Sequence, residues 1–149
     1  MYRIISKTGG SCRTRADAMT KLRNLPIDGL TVTRISVDDS LTLFCRAGDR
    51  REAEIRIDGA FAYVDPAGEA FTGCIEESPR GAGPVLELVF ARIAAARIDE
   101  TGALELSFAG DAVLTAEAEN HFVSWEIKTS NGFHAVCLAD RDVVVKDIA

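Results

Sequence analysis

The sequence lacks the features that would indicate a membrane segment, a metal site or a secretion signal. No apolar run approaches the roughly 20 residues of a membrane-spanning helix, and residues 1–25 contain no apolar run of seven or more. The four cysteines, Cys12, Cys45, Cys74 and Cys137, are far apart and form no C-x-x-C pair, which argues against zinc. We therefore expect a cytoplasmic protein with free thiols, no cofactor, no metal and no membrane attachment.

The motifs of common enzymes are missing as well. His121 and His134 are the only histidines, and neither has a cysteine or an acid at a metal-ligand spacing. No serine lies in a G-x-S-x-G elbow, and no glycine-rich loop has the order of a phosphate-binding loop. The paired carboxylates fall in predicted turns, where they are well solvated. An enzyme is therefore the least favoured class of function.

Charge is distributed unevenly along the chain. The formal net charge is −6. Residues 1–24 carry six basic groups and one acid, which gives +5, and the remainder carries 11 basic and 22 acidic groups, which gives −11. We interpret residues 1–24 as a basic, flexible N-terminal arm that can form a short helix. The acidic body argues against nucleic-acid binding and suits a protein partner with a basic surface.

The most informative feature that is present is an internal sequence similarity at a spacing of 63 residues, which we call the 63-residue echo. It predicts one β-rich domain over residues 25–149, built from two units at about 25–75 and 84–149. The units should share a core, because about 60 residues alone are marginally stable. The identical pairs are Leu25/Leu88, Arg34/Arg97, Ile35/Ile98, Leu41/Leu104 and Leu43/Leu106.

Alternation of polar and apolar residues predicts roughly ten short strands. Short turns join them, with clear signals at Asp65–Gly68 and Asn131–Gly132, so the pairing should be antiparallel. The predicted fold class is mainly β (β-rich α+β). Two meander repeats are related by a pseudo-two-fold axis and form a sandwich or a partly open barrel. One or two short helices are expected, over Pro84–Arg92 and over Arg15–Arg23.

Four residues of the second unit make up the tentative binding site. Trp125, the sole tryptophan, either fills the core between the repeats, which we favour, or anchors a partner in a groove. Phe122, Glu126 and His134 belong to the same predicted hairpin, Phe122–Leu138. Because the first unit is expected to lack Trp125 and this hairpin, any specific site should lie there.

Strand and turn motifs occur in a recognisable order. They are Gly29-Leu30-Thr31-Val32-Thr33-Arg34-Ile35-x-x-Asp38-x-x-Leu41-x-Leu43, Ile57-x-Gly59-x-Phe61, Asp65-Pro66-x-Gly68, Leu104-x-Leu106-x-Phe108-x-Gly110, Trp125-Glu126-Ile127 and Gly132 through Cys137. Over about residues 25–147 this order resembles a family of small, uncharacterised, mostly actinobacterial β-rich proteins, described as a domain of unknown function. The resemblance implies no activity and no catalytic residue.

These observations favour a non-enzymatic binding or protein-interaction domain. The acidic body suggests a partner with a basic surface, and open sheet edges make a homodimer the other option. In size and style the chain also resembles immunity proteins of bacterial toxin systems. The alternative is a small-molecule-binding β-barrel or sandwich with a pocket near Trp125, at the seam between the repeats.

Overall fold

A computed structural model describes residues 2–5 and 23–147 of the chain. Those residues form two antiparallel sheets that pack as an open sandwich and do not close into a barrel. In chain order the strands are β1 (Tyr2–Ile5), β2 (Arg23–Asn24), β3 (Thr31–Val37), β4 (Leu41–Arg46), β5 (Glu52–Ile57), β6 (Phe61–Val64), β7 (Ala70–Gly73), β8 (Ile93–Ile98), β9 (Leu104–Phe108), β10 (Val113–Ala116), β11 (Trp125–Thr129), β12 (His134–Cys137) and β13 (Val143–Lys146).

The first sheet has seven strands in the order β1-β13-β12-β11-β5-β4-β3, and the second has six in the order β2-β8-β9-β10-β6-β7. Each half of the chain thus starts one sheet with a three-stranded meander and then crosses to the other sheet. Strands β6 and β7 join the meander β8–β9–β10, whereas β11, β12 and β13 join the meander β3–β4–β5. The two halves are therefore interlocked, so neither sheet can be completed by one half.

One hydrophobic core fills the space between the sheets. The core forms because alternate residues of a strand point to the same face of the sheet. Strand β5 is an example, since its residues alternate strictly between exposed and buried from Glu52 to Ile57. Leu43 and Ile55 of the first sheet and Leu106 and Leu114 of the second are fully buried in this layer. The predicted β-sandwich is confirmed by this arrangement.

The two meanders have similar first strands. Each strand contains a bulge near its start, between Val32 and Arg34 in β3 and between Ile93 and Ala95 in β8. A bulge adds one residue to a strand and increases its local twist. The bulged strands lie in different sheets, and both begin next to the same junction, where the two sheets meet.

The 63-residue echo is not confirmed as a residue-by-residue repeat. Leu41 and Leu104 hold matching places, since each begins the second strand of its meander. Arg34 and Arg97 do not, because Arg34 directly follows the bulge of β3, whereas Arg97 is the next-to-last residue of β8. The turn after β8 has five residues rather than three, which breaks the constant spacing. The pseudo-two-fold axis remains a prediction.

The hairpin expected to distinguish the second half has a counterpart in the first. Strands β6 and β7 pair as β11 and β12 do, and each first strand begins with a large buried aromatic residue, Phe61 or Trp125. Each turn places a glycine at positive φ, Gly68 at 88° and Gly132 at 92°. The two halves therefore differ in the residues of this hairpin, with Trp125 and the Asn131–Gly132 turn in the second half alone, and both halves contain a hairpin at this place.

The helix predicted over Pro84–Arg92 is shorter and tighter than expected. Two consecutive 3-10 segments, Pro79–Ala82 and Pro84–Leu88, make one short bent helical stretch. It ends because Val89 is extended and Phe90 adopts a φ of 74°, neither of which continues a helix. No helix in the described ranges is long and apolar enough to cross a membrane. The other predicted helix, over Arg15–Arg23, falls largely outside the described residues.

The indole of Trp125 forms a hydrogen bond between the two sheets. It is fully buried, and its Nε1–H donates to the carbonyl of Gly102 at 2.9 Å, in the turn between β8 and β9. We expect Trp125→Phe to lower the free energy of unfolding by about 1–3 kcal/mol, since that carbonyl would be buried without a partner. Urea denaturation followed by circular dichroism measures the change. Glu54→Ala, an exposed change on the neighbouring strand, should cost less than about 0.5 kcal/mol; equal losses would contradict this role.

Gly73 is required by the close approach of β7 to the ring of Phe61. A Cβ at position 73 would lie 2.7 Å from Cζ of Phe61, whose side chain is buried and cannot move freely. We expect Gly73→Ala to destabilise the fold by about 1–3 kcal/mol. Gly48→Ala is the matched control, because a Cβ at Gly48 meets nothing within 4 Å. Similar melting temperatures for the two variants would refute the steric argument.

Candidate functional site

The four tentative binding residues lie in three different environments. Trp125 is fully buried in the core, so its side chain contacts neighbouring core residues and no surface. Glu126 and His134 are neighbours on the outer face of the seven-stranded sheet. Phe122 precedes strand β11 and is 37% exposed at one end of the sandwich. Glu126 and His134 are brought together, whereas Trp125 and Phe122 are not part of that pair.

Glu126 and His134 form a surface polar pair. Nε2 of His134 lies 2.6 Å from Oε2 of Glu126, and Nζ of Lys128 lies 4.0 Å from Oε1. In the described part of the chain the side chain of His134 has no other hydrogen-bond partner. Ser124 is fully buried, and the hydroxyl of Ser130 accepts a hydrogen bond from the N–H of Glu52 at 3.0 Å. A partly exposed polar pair of this kind on a sheet face contributes little to stability.

Phe122 lines a groove whose charged side chains, within the described ranges, are all acidic. The groove lies beside the start of β6, and four glutamates surround it, together with Thr72, Cys74 and the edge of Phe61. Among the residues that the structure describes, no lysine or arginine lines it. We call it the acidic groove, defined by Phe122 and the glutamates Glu76, Glu77, Glu117 and Glu119.

The acidic groove is built on close backbone packing at Gly59. A Cβ at Gly59 would lie 2.9 Å from Cγ of Glu119 and 3.4 Å from the ring of Phe122. Oε1 of Glu119 also accepts a hydrogen bond from the N–H of Ala60 at 3.4 Å. The glutamate and the aromatic ring are thus held against the turn between β5 and β6, which positions both of them at the rim of the groove.

A second depression continues the acidic surface on the other side of Phe122. Phe122 and Glu76 line both, and the second also includes Asp39, Asp58 and the half-exposed Val123, with Arg56 as its one basic residue. Arg56 is paired with Asp58 at 3.1 Å, so the local excess charge stays negative. This end of the sandwich therefore combines exposed apolar side chains with carboxylates.

Asp38 adds to the charge at this end. Its carboxylate accepts hydrogen bonds from the N–H and the hydroxyl of Ser40, at 2.9 and 3.1 Å. The bond from the Ser40 backbone is the main reason that the pKa of Asp38 lies below its ordinary value, since it stabilises the charged form. Asp38 consequently remains ionised over the whole physiological pH range.

The described cysteines lie in two kinds of environment. Cys45 and Cys137 are buried core residues, as the strand patterns predicted, and Cys74 is half-buried at the acidic groove. Burial raises the pKa of the Cys45 thiol to about 12, because the thiolate cannot be solvated there. Cys12 lies outside the described residues. Among the described residues no group of three or more histidines, cysteines and acids could hold a metal ion.

Two surface features carry no signal in the sequence. Phe90 is 80% exposed at a φ of 74°, whereas its spacing had suggested the buried face of a helix. Four arginines from three separate parts of the sequence lie near one another, where β3 begins and β4 ends. We call them the arginine patch, defined by Arg34, Arg46, Arg50 and Arg92, which line two adjoining depressions.

These features define the class of protein: a two-sheet antiparallel β-sandwich with an acidic groove at one end and an arginine patch at the other. The sequence model of DUF6188, a family of unknown function, matches residues 23–146, and the chain belongs to that family. The predicted membership in an uncharacterised family is thereby confirmed. Comparison with curated proteins and with solved structures found no significant match.

The environments of the thiols predict an order of alkylation. At pH 8 iodoacetamide should modify Cys74 far faster than Cys45 or Cys137, because the thiolate is the reactive form and the two core thiols are inaccessible. Peptide mass spectrometry over a time course measures each site separately. With its pKa near 12, Cys45 should react only after unfolding in urea. Early labelling of Cys45 in the folded protein would contradict the described core.

Proposed function

We propose that this chain is a non-enzymatic protein-interaction domain that binds a partner with a basic surface through the acidic groove. The observation that carries the proposal is the position of Phe122 between two depressions lined by carboxylates. Aromatic residues at the centre of an interface often provide most of the binding energy. Surrounding charges mainly raise the association rate and select the partner.

The fixed geometry of the groove also supports binding. Glu119 and Phe122 both rest on Gly59, so little side-chain freedom would be lost in a complex. Glu117 is exposed beside them and its backbone N–H bonds the carbonyl of Ala60. A partner would therefore meet a pre-organised rim rather than a set of mobile acids.

The seam at Trp125 gives less support to a small-molecule site. The indole is fully buried and hydrogen-bonded to Gly102. Its neighbours Ile57 and Ile127 are buried as well, and the depressions described above do not include any of these three side chains. Protein binding is for this reason our leading proposal.

The setting that we propose is the cytoplasm of a bacterium. The free thiols of Cys45 and Cys74 suit a reducing compartment, and the overall acidic charge suits a basic partner. The likeness to immunity proteins in size and style favours a toxin as that partner. An interaction between a toxin and its inhibitor would also explain a domain without catalytic motifs.

A charge reversal at the groove tests the proposal. The native chain is purified at native expression from its own organism, and a co-purifying basic protein is identified and expressed. We expect Glu117→Lys and Phe122→Ala each to weaken its affinity about tenfold or more, which corresponds to about 1.4 kcal/mol. Isothermal titration calorimetry measures both at two salt concentrations.

Glu69→Lys is the matched control for the charge reversal, because Glu69 is exposed at the opposite end of the β6–β7 hairpin. It should leave the affinity unchanged. The proposal fails if no protein co-purifies, or if Glu69→Lys weakens binding as much as Glu117→Lys does. Circular dichroism of each variant shows that the fold is retained.

A further inference from the structure

Phe90 combines two unfavourable properties in one residue. It exposes 80% of its surface, more than any other large apolar residue in the described ranges, and it holds a φ of 74°. Positive φ is strained for a bulky side chain. Arg50, Asp111 and Arg141 also have positive φ, but each lies in a tight hairpin turn where this conformation is common. Phe90 lies in no hairpin.

The chain itself shows which residue this backbone conformation favours. The N–H of Gly29 donates to the carbonyl of Ile93 at 2.8 Å, and the N–H of Phe90 donates to the carbonyl of Val32 at 2.7 Å. Gly29 and Phe90 thus make equivalent contacts at the junction of the sheets, because each donates to the first strand of the other meander. Gly29 has a φ of 86°. Glycine occupies the first position, as expected, whereas an exposed phenylalanine occupies the second.

Arginines occupy backbone positions close to Phe90, whose N–H bonds the carbonyl of Val32. Thr31 forms a bridge with Arg92 on one side and pairs with Arg46 on the other. Arg46, Arg50 and Arg92 line one depression there, and they have no ion pair among the described residues. Arg34 lines the adjoining depression and stacks 4.0 Å above the ring of Phe44. Unpaired arginines next to an exposed aromatic residue match the composition of binding hot spots.

The edge of β3 completes the surface. The strand is the last of its sheet, and its backbone bonds Phe90 and Ala91 only at Val32. From Arg34 to Val37 its outer edge has no partner strand within residues 2–5 and 23–147. An extended segment of another protein could therefore pair there and lie against Phe90.

We propose that Phe90, the arginine patch and the open edge of β3 form a second docking surface, whose partner is an acidic protein segment. Phe90 and the arginine patch lie beside the first half of β3, and they share no residue with the acidic groove. Charge complementarity selects the partner. Arginine forks bind carboxylates in two-point contacts, and Phe90 supplies the apolar anchor.

The same charges disfavour two other occupants. A second copy related by a two-fold axis would place arginine against arginine. A nucleic acid needs a continuous basic track, whereas Glu52 and Glu54 interrupt the arginine patch and line the same depressions. A protein segment can offer a basic residue to these glutamates, but a phosphate backbone cannot.

Site-specific crosslinking tests the proposal in the full-length chain. Phe90→benzoylphenylalanine is expressed at native level in the organism that encodes the chain and is irradiated in living cells. We expect one crosslinked protein with a negatively charged segment at the crosslinked site. The matched control, Phe122→benzoylphenylalanine, should capture a different protein or none, so the fate of the acidic groove is read separately.

Binding is then measured with the captured protein after its purification. We expect Phe90→Asn and Arg92→Glu each to weaken it at least about tenfold, and the affinity of the wild type to fall with salt. The matched control Arg80→Glu changes the same charge on the first 3-10 segment and should have no effect. Asparagine tolerates positive φ, so Phe90→Asn should keep or raise the melting temperature.

Several outcomes would overturn the proposal. They are no crosslink from position 90, a crosslink to a second copy or to nucleic acid, a captured segment that is neutral or basic, and unchanged binding by Phe90→Asn. A clear fall in the melting temperature of Phe90→Asn would also overturn it, because Phe90 would then be a packing residue. A stable Phe90→Asn variant that no longer binds the captured acidic protein would support it.

Discussion

The junction between the two meanders is the constraint on which the rest of the structure depends. Four backbone hydrogen bonds join Gly29 and Leu30 with Ile93, and Val32 with Phe90 and Ala91. They connect the first strand of one meander, β3, with the first strand of the other, β8, and include the residues just before these strands. Every later strand is placed relative to this junction, since each half of the chain extends the sheet that the other half began.

Charges of opposite sign lie at the two ends of the junction's strand β3. At one end of β3 the chain places arginines next to the junction, and at the other end the turns collect Asp38 and Asp39. A strand of seven residues spans about 23 Å, more than two Debye lengths at physiological salt. The two ends can therefore act on different partners without cancelling each other. The net charge of −6 is a sum over the whole chain, so it does not show that one end of β3 is basic and the other acidic.

Much of the fold was predictable because its strands are local patterns. Alternation in Glu52–Ile57 and the Asn131–Gly132 turn signal each indicate one element, and both elements are present. The 63-residue echo misled across Arg34 and Arg97 because a longer turn after β8 changes the spacing. The helix predicted over Pro84–Arg92 is shorter, a 3-10 segment over Pro84–Leu88, since the backbone of Phe90 bonds β3 instead of continuing a helix. Of the tentative site residues, Phe122 was found on a groove, whereas Trp125 belongs to the core.

The sequence by itself determined the class of fold, the short antiparallel hairpins and the burial of the strand cysteines, because alternation and turn residues act over a few neighbouring positions. Only the tertiary structure decided the two surfaces. Glu76 and Glu119 meet at one groove, and Arg46 and Arg92 meet at another, only after the halves have interlocked. The exposure of Phe90 is likewise set by its hydrogen bond to Val32, a contact across the junction that no local pattern encodes.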